Sequence, residues 1–175
     1  MATAPRSGLA GLLMSWVGGL APAAAAGAPL TREGAQRLVQ SFVRPTGSLQ
    51  SPGLNQEGFG GLIMGGAQLY FEWHEDTKAL ECSALVYKFH EPPKPGVLET
   101  FQAEEKEGTD TGGGTVTYEP ENRGLYLSRT YAQGVDERAF AKDMKRLMRA
   151  SLQWSDEVVG RVASRVFHPE ELEKR

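Results

Sequence analysis

The chain has 175 residues, of which 40% are hydrophobic and 23% charged, a length that suits one hydrophobic core and is short for two. Its formal net charge is −3, so it lacks the global positive charge that draws nucleic acid by counterion release, and no nucleic-acid partner is expected. Cys82 is the only cysteine, which excludes an internal disulfide and a thiolate-rich zinc site but leaves open a disulfide between two copies.

The N-terminal thirty residues differ in composition from the rest and allow two interpretations. No charged residue lies within 8–28, and the most apolar part, 9–20, is followed by a run of alanines. A basic residue at Arg6, an apolar run and small residues, in that order, are typical of a secretory signal peptide, which would be residues 1–26. Glycines dilute the run and weaken both a helix and a membrane span, so residues 1–29 are alternatively a retained Ala/Gly/Pro arm. No membrane contact is expected except through this arm.

One α+β domain is predicted over residues 30–168, followed by a charged tail at 169–175. Thr31 can cap its first helix, and Pro45 with Gly47 ends that helix. The apolar positions of the helix recur at helical spacing and are Ala35, Leu38, Val39 and Phe42. A loop rich in Ser, Pro, Gly, Asn and Gln follows, over residues 49–58.

Three strands with short connections come next and are predicted to form a meander. The first is a glycine-interrupted apolar run, 59–64, which ends at the turn Gly65-Gly66. The second, 67–74, alternates between faces, with Leu69, Phe71 and Trp73 on one of them. The third, 79–89, is predicted to place Cys82, Ala84 and Val86 on one face and Leu85, Tyr87 and Phe89 on the other.

The proline-rich segment 91–95 cannot supply ladder donors and interrupts the sheet. A polar helix is predicted over 96–107 and a glycine-rich stretch over 108–114. Residues 115–119 and 124–131 then alternate as a second hairpin. The fold class is therefore α+β, with a five-stranded antiparallel sheet.

The C-terminal helix is the best-specified element of the sequence. Asp136 is placed as its N-cap, and its apolar stripe continues with alternating spacings of four and three, either as one long helix or as two with a bend near Trp154. The stripe consists of Phe140, Met144, Leu147, Ser151, Trp154 and Val158. The order of elements is thus helix, three-strand meander, helix, hairpin and long C-terminal helix.

Four segments carry a resemblance to a known fold. They are residues 58–63 before Gly65-Gly66, residues 67–72, residues 80–85, and the second hairpin leading into 136–151. In this order the chain resembles the type III secretion chaperones of the Tir-chaperone class and the related YbjN-like domains, over about residues 31–168. The resemblance implies a small, acidic, bacterial homodimer that binds an extended segment of a client protein, with no nucleotide hydrolysis and no cofactor.

Two glycine-containing motifs could indicate catalysis or phosphate binding. Asp110-Thr111-Gly112 matches the catalytic triplet of aspartic proteases, but polar residues precede it and no second copy follows, so a solvated glycine loop is the simpler interpretation. Gly112-Gly113-Gly114 lacks the Lys-Ser/Thr that a phosphate loop requires, and we interpret it as a flexible turn.

The titratable side chains form no catalytic or metal-binding pattern in the sequence. His74, His90 and His168 are too far apart for a local metal motif, and Cys82 lies on a strand, where a half-buried small side chain is expected. No catalytic, cofactor-binding or metal-binding residue is predicted, and the chain is expected not to be an enzyme.

Surface aromatic residues are the remaining candidates for a functional site. The strands carry more aromatic side chains than one face of a small sheet needs, so some could line a groove for a partner, the alternative being that the helices cover them all. These candidates are Tyr70, Tyr87, Phe89, Tyr126 and Tyr131. The basic outer face of the last helix, 142–149, is either a solvated surface or a rim for an acidic client segment.

Two functional hypotheses follow from the sequence. The first is a cytoplasmic, dimeric chaperone or adaptor that holds a client segment. The second is an exported α+β domain of the envelope or of structural role, for which residues 1–26 would be the signal.

Overall fold

The computed structural model describes residues 27–46 and 53–167 of the chain. The predicted N-terminal arm or signal peptide, His168 and the charged tail lie outside the described residues. The helices are α1 (Arg32–Val43), α2 (Val97–Lys106), α3 (Glu137–Gln153) and α4 (Val159–Phe167). The strands are β1 (Phe59–Met64), β2 (Ala67–His74), β3 (Ala79–Lys88), β4 (Thr115–Glu119) and β5 (Gly124–Tyr131).

The strands form one antiparallel five-stranded sheet in the order β1-β2-β3-β5-β4. The meander β1-β2-β3 turns first at Gly65 and Gly66, whose φ angles of +57° and +86° suit a tight two-residue hairpin. The second hairpin then pairs through β5 with β3, which leaves β4 and β1 at the two edges. The predicted α+β class, the order of elements and the antiparallel sheet are confirmed.

All the helices pack on one face of the sheet. The chain enters this layer beside the end of β5, where the Leu30 N–H donates to the Ala132 carbonyl over 3.0 Å. Thr31 Oγ1 accepts from the Gly34 N–H over 3.1 Å and caps α1, as its position predicts. Next, α1 packs on α3 and β2, α3 lies across β2, β3 and β5, and α2 packs beside α4 and β4. The opposite face of the sheet carries none of these helices.

The C-terminal helix supplies the centre of the core. Asp136 accepts a hydrogen bond from the Arg138 N–H and caps α3, and the predicted stripe is buried from Phe140 to Val158. A π turn (Trp154–Val158) joins α3 to α4, and the backbone keeps right-handed helical angles at Trp154 and Val159, so helical structure continues to Phe167 with an irregular turn beginning at Trp154. The Trp154 ring stacks on Phe101 of α2 at 6.4 Å between ring centroids.

The glycine-rich segment before β4 is docked on α3, which corrects the predicted flexible turn. Gly112 is buried at φ +66°, and a Cβ at this position would lie 2.6 Å from the carbonyl oxygen of Arg146. The Trp154 Nε1–H also donates to the Asp110 carbonyl over 2.8 Å. The glycine is needed because helix backbone approaches it closely, a contact that local composition does not indicate.

A buried ionic cluster joins α2 to α4. Glu104 is 1% exposed, and its carboxylate accepts from Arg161 Nε over 2.9 Å, from Arg165 over 2.9 Å and from Thr109 Oγ1 over 2.9 Å. Hydrogen bonding to Arg161 lowers the pKa of Glu104 below its ordinary value of 4.5. The paired charges satisfy a carboxylate that the packing removes from water.

Across residues 27–46 and 53–167, no helix has both the length and the apolar character that crossing a membrane requires.

Candidate functional site

Polar and aromatic side chains share the sheet face opposite the helices, and we call it the open face. It forms a concave region of about 450 Å³ that reaches from β1 across to β4. Side chains alternate along a strand, so each strand that buries one set of residues under the helices presents the other set here. The open face is therefore defined by the residues that the core does not use.

An aromatic cluster lies at the β1 side of the open face. Tyr70 of β2 and Tyr126 of β5 pack edge to face, with ring centroids 6.0 Å apart. Tyr70 is 43% exposed and Phe59 48% exposed, whereas only 9% of Tyr126 is exposed. Burial raises the pKa of the Tyr126 hydroxyl. Exposed aromatic surface of this kind is typical of a place where another molecule packs.

A row of hydroxyl groups forms the floor of the open face. Ser128 of β5 lies 2.8 Å from Ser83 of β3 and 2.7 Å from Thr117 of β4, measured between side-chain oxygens. The three hydroxyl groups thereby hydrogen-bond one another across three strands. These bonds allow short polar side chains to line the middle of the sheet without a helix above them.

Carboxylates surround this floor. Glu72, Glu81 and Glu119 all line the open face. Partial burial raises the pKa of Glu72, with the carboxylates of Glu81 and Glu119 adding to the increase and His74 opposing it. The open face is therefore acidic, and a cation brought to it would relieve repulsion among like charges.

The polar groups at the end of β2 are not arranged as a nucleophile with its base. His74 Nε2 lies 2.9 Å from Glu81 Oε2, and the Ser83 hydroxyl donates to the other oxygen of the same carboxylate over 3.2 Å. The carboxylate thus stands between the histidine and the serine, whereas a catalytic triad needs the histidine to bond the serine directly. Among residues 27–46 and 53–167, no group of three or more His, Cys, Asp or Glu side chains could hold a metal ion.

The edge strand β1 offers unpaired backbone beside the aromatic cluster. The Trp73 N–H donates to the Gly58 carbonyl, so residues 58, 60, 62 and 64 face β2, and Phe59, Gly61 and Ile63 present their N–H and C=O groups outward. Asn55 hydrogen-bonds both outward groups of Phe59. Its side-chain Oδ1 accepts from the Phe59 N–H over 2.9 Å, and its own N–H donates to the Phe59 carbonyl over 2.7 Å. Those of Gly61 and Ile63 have no partner in the described part of the chain, and Ile63 is 75% exposed.

The opposite edge, β4, is closed by comparison. The outward N–H of Val116 donates to the Glu105 carboxylate of α2 over 3.0 Å. A side chain from the helix thus occupies the position that an added strand would need. The β4 edge is therefore partly blocked at Val116, whereas the outward groups of Gly61 and Ile63 on β1 are available for pairing with another chain.

The structure brings together only two of the five predicted groove residues on the open face, Tyr70 and Tyr126. A β-bulge between Leu85 and Tyr87 adds a residue to β3, so Tyr87 and Phe89 turn to the helix side while Leu85 stays on the open face. The predicted common face for Leu85, Tyr87 and Phe89 is therefore wrong.

Tyr131 lies on the helix side as well, in the core. Its ring packs against Phe140 at 5.3 Å between centroids, and its hydroxyl donates to Asp143 over 3.0 Å. Burial raises the pKa of this hydroxyl strongly. Tyr131 therefore joins β5 to α3 and lines no part of the open face.

The other candidates from the sequence are placed in structural roles. Asp110 uses its carboxylate to accept from the Gly112 N–H over 2.9 Å, inside its own loop. Cys82 is fully buried under the helices, which raises the pKa of its thiol well above the ordinary value. The basic side chains Lys142, Lys145, Arg146 and Arg149 are exposed on α3, on the layer opposite the open face.

Sequence reasoning missed Phe59, Leu85 and the three carboxylates of the open face. The signal for the carboxylates was present, because Glu72 alternates with buried Phe71 and Trp73 on β2, and Glu81 with buried Leu80 and Cys82 on β3. Phe59 can be assigned to the open face only from its pairing with Glu72 on the neighbouring strand. Alternation of residue types within one short glycine-rich run does not supply that register.

No family model and no curated protein sequence matches the chain. Solved structures share its fold. A chain of the ExsC–ExsE complex superposes with a TM-score of 0.58, over 73% of this chain and 96% of its own length, at 15% identity. A chain of the HopA1–SchA chaperone–effector complex superposes with a TM-score of 0.53, over 71% of this chain and 95% of its own length, at 11% sequence identity. At these identities the likeness establishes the fold alone, so the predicted resemblance is confirmed in its α+β fold.

Proposed function

We propose that this chain is a non-catalytic, cytoplasmic protein that holds an extended segment of a client protein as a homodimer, and that the open face with the adjoining edge of β1 binds that segment. The observation that carries the proposal is the exposed aromatic cluster of Tyr70 and Phe59, which no helix covers. The shared fold with a chain of a chaperone–effector complex supports the same function.

The geometry suits an extended client segment. Gly61 and Ile63 offer outward backbone groups with which a client strand can pair, and the pairing supplies affinity without regard to sequence. Alternate side chains of such a strand would then lie on the open face beside Phe59 and, across Gly61, toward Tyr70, and these two rings supply apolar contacts. The carboxylates farther along the face favour client side chains that carry positive charge.

Tyr70→Ala tests the assignment of the binding surface. A client is first isolated with the full-length chain from its native host and purified, and its affinity for the chain is measured by isothermal titration calorimetry. Because Tyr70 is exposed and contributes little to the core, its loss should weaken binding by about 1 kcal/mol or more while the fold is kept. Circular dichroism checks the fold of each variant.

Tyr87→Ala is the matched control, because Tyr87 is exposed to a similar extent on the helix side. It should leave client affinity within about 0.5 kcal/mol of the original value, as is usual for surface positions. If Tyr87→Ala weakened binding and Tyr70→Ala did not, the open face would not be the client site.

A further inference from the structure

An apolar groove lies on the helix side of the molecule, far from the open face. It has a volume of about 340 Å³ and runs between α2, α4 and the proline-rich segment after β3, and we call it the α2–α4 groove. Its exposed members include Phe167 at 51% and Tyr87 at 38%. Phe89, Val97, Val159 and Val166 line it further. Continuous apolar surface of this kind marks a place where another segment packs.

The N-terminal arm contains a segment that matches such a groove. Within 9–20 the large apolar residues other than Met14 recur at i, i+3, i+4, i+7, i+8 and i+11, the spacing that places them on one face of a helix. These residues are Leu9, Leu12, Leu13, Trp16, Val17 and Leu20. Glycine, alanine and serine occupy most of the positions between them, and no charge occurs. We propose that residues 9–20 bind in the α2–α4 groove of their own chain as an amphipathic helix.

The length of the linker allows this contact. The arm joins the domain at the end of β5, where the Gly134 N–H donates to the Ala28 carbonyl, and the groove lies beside the beginning of β5, where Tyr87 pairs with Leu125. The eight residues of β5 separate the two points by about 26 Å. Ten residues lead from Val17 to Gly27 and extend to about 34 Å, so Val17 and the residues before it can reach the groove. Leu20, which seven residues with a reach of about 24 Å join to Gly27, would lie at the near end of the groove.

The arm fits the groove better than the other terminal segment does. Residues 168–175 follow directly from the groove wall at Phe167, but five of these eight residues are charged. The groove presents only Glu91 and Lys94 as charged partners, so burying that segment would leave charges unpaired. Residues 9–20 bring no charge, and their glycines, which disfavour an isolated helix, make the helix depend on the groove.

Tryptophan fluorescence of the full-length chain tests the proposal. The chain has three tryptophans, and Trp73 and Trp154 are buried at 5% and 0% exposure, so an aqueous quencher reports mainly on Trp16. We expect Trp16 to be shielded, and we expect Ala163→Asp on the groove wall to expose it, because an unpaired charge there should lower the docked population at least about tenfold. Leu13→Asp in the arm should expose Trp16 in the same way, and it leaves the domain core unaltered.

Ser164→Asp is the matched control, since Ser164 adjoins Ala163 on α4 but faces solvent outside the groove. It should leave Trp16 shielded. The proposal is overturned if Trp16 of the unaltered chain is as accessible as free tryptophan, or if Ser164→Asp exposes it as much as Ala163→Asp. Shielding that is lost on dilution would also overturn it, because the arm would then occupy the groove of a second copy. None of these measurements involves a client, so their failure is separable from failure of the open-face proposal.

Discussion

At the scale of single residues, the Glu104 carboxylate is the polar group on which the packing of α4 most depends. It is almost fully buried, yet both of its arginine partners, Arg161 and Arg165, reach solvent with part of their side chains. A buried carboxylate without partners would be strongly destabilising, so the cluster is needed to keep α2 and α4 together, whatever its net contribution to stability.

Glu104→Gln should destabilise the fold by about 1 to 3 kcal/mol, because it removes the charge that two guanidinium groups share while preserving the shape of the side chain. Glu107→Gln is the control, since Glu107 is exposed and its carboxylate only meets Arg165 at 3.4 Å, an arrangement worth at most about 1 kcal/mol. Urea unfolding of both variants measures the difference. Equal effects would mean that the buried cluster adds no stability of its own.

The advantage of Glu104 over glutamine should depend on pH. Hydrogen bonding to Arg161 lowers the pKa of Glu104 in the folded state, so the stabilisation is complete above the ordinary value of 4.5 and is lost as the pH falls through the folded-state pKa. The gap in unfolding free energy between the original chain and Glu104→Gln should therefore narrow below pH 4.5. A gap that widened on acidification would contradict the assigned cause of the shift.

At the scale of elements, the loop between α2 and β4 shows how one close contact fixes the position of a helix. Gly112 lies against the backbone of α3 at Arg146 and Leu147, and the adjacent Asp110 carbonyl accepts from the Trp154 side chain. The loop thus contacts α3 near its middle and again at the π turn that joins α3 to α4.

Gly112→Ala should destabilise the protein more than Gly108→Ala does. Both glycines have positive φ, at +66° and +94°, so each alanine carries a backbone strain of about 1 to 3 kcal/mol. Only at position 112 would the added methyl also meet helix backbone, at 2.6 Å, which adds about 1 to 3 kcal/mol of overpacking, whereas nothing lies within 4 Å at position 108. Thermal unfolding compares the two, and equal losses would show that the loop is not held against α3.

At the scale of the whole molecule, the layout separates two surfaces of different character. The open face is acidic and aromatic and is bordered by the unpaired edge of β1, while the helix side carries the basic surface of α3 and the apolar α2–α4 groove. Because the sheet lies between them, a client on the open face and the arm in the groove would not compete for the same side chains.

The proposed homodimer has a direct test in solution. Multi-angle light scattering of the full-length chain should give about twice the chain mass of 19.0 kDa, since the exposed apolar side chains Phe59 and Ile63 favour association with another copy or a client. The measurement is made over a dilution series, because the mass of a dimer depends on concentration. A monomer at every micromolar concentration tested would contradict the dimer and leave the client site to be judged by Tyr70→Ala.

The elements and their caps could be predicted from the residues alone, because those signals are local. Turn residues and alternation predicted the bounds of β2, β4 and β5 as observed, and hydrogen-bonding side chains at Thr31 and Asp136 marked the starts of α1 and α3. The stripe from Phe140 to Val158 likewise identified the core face of the last helix.

Which side chains share a surface could not be predicted in this way, because it depends on how the elements pair and pack. One extra residue in β3 moved Tyr87 and Phe89 to the helix side, and pairing with α3 drew Tyr131 into the core. Glu104 bonds Arg161, 57 positions farther along the chain, and Gly112 packs against Arg146 and Leu147 of α3. Such contacts depend on register and packing between elements distant in sequence, which no local pattern of residue types encodes.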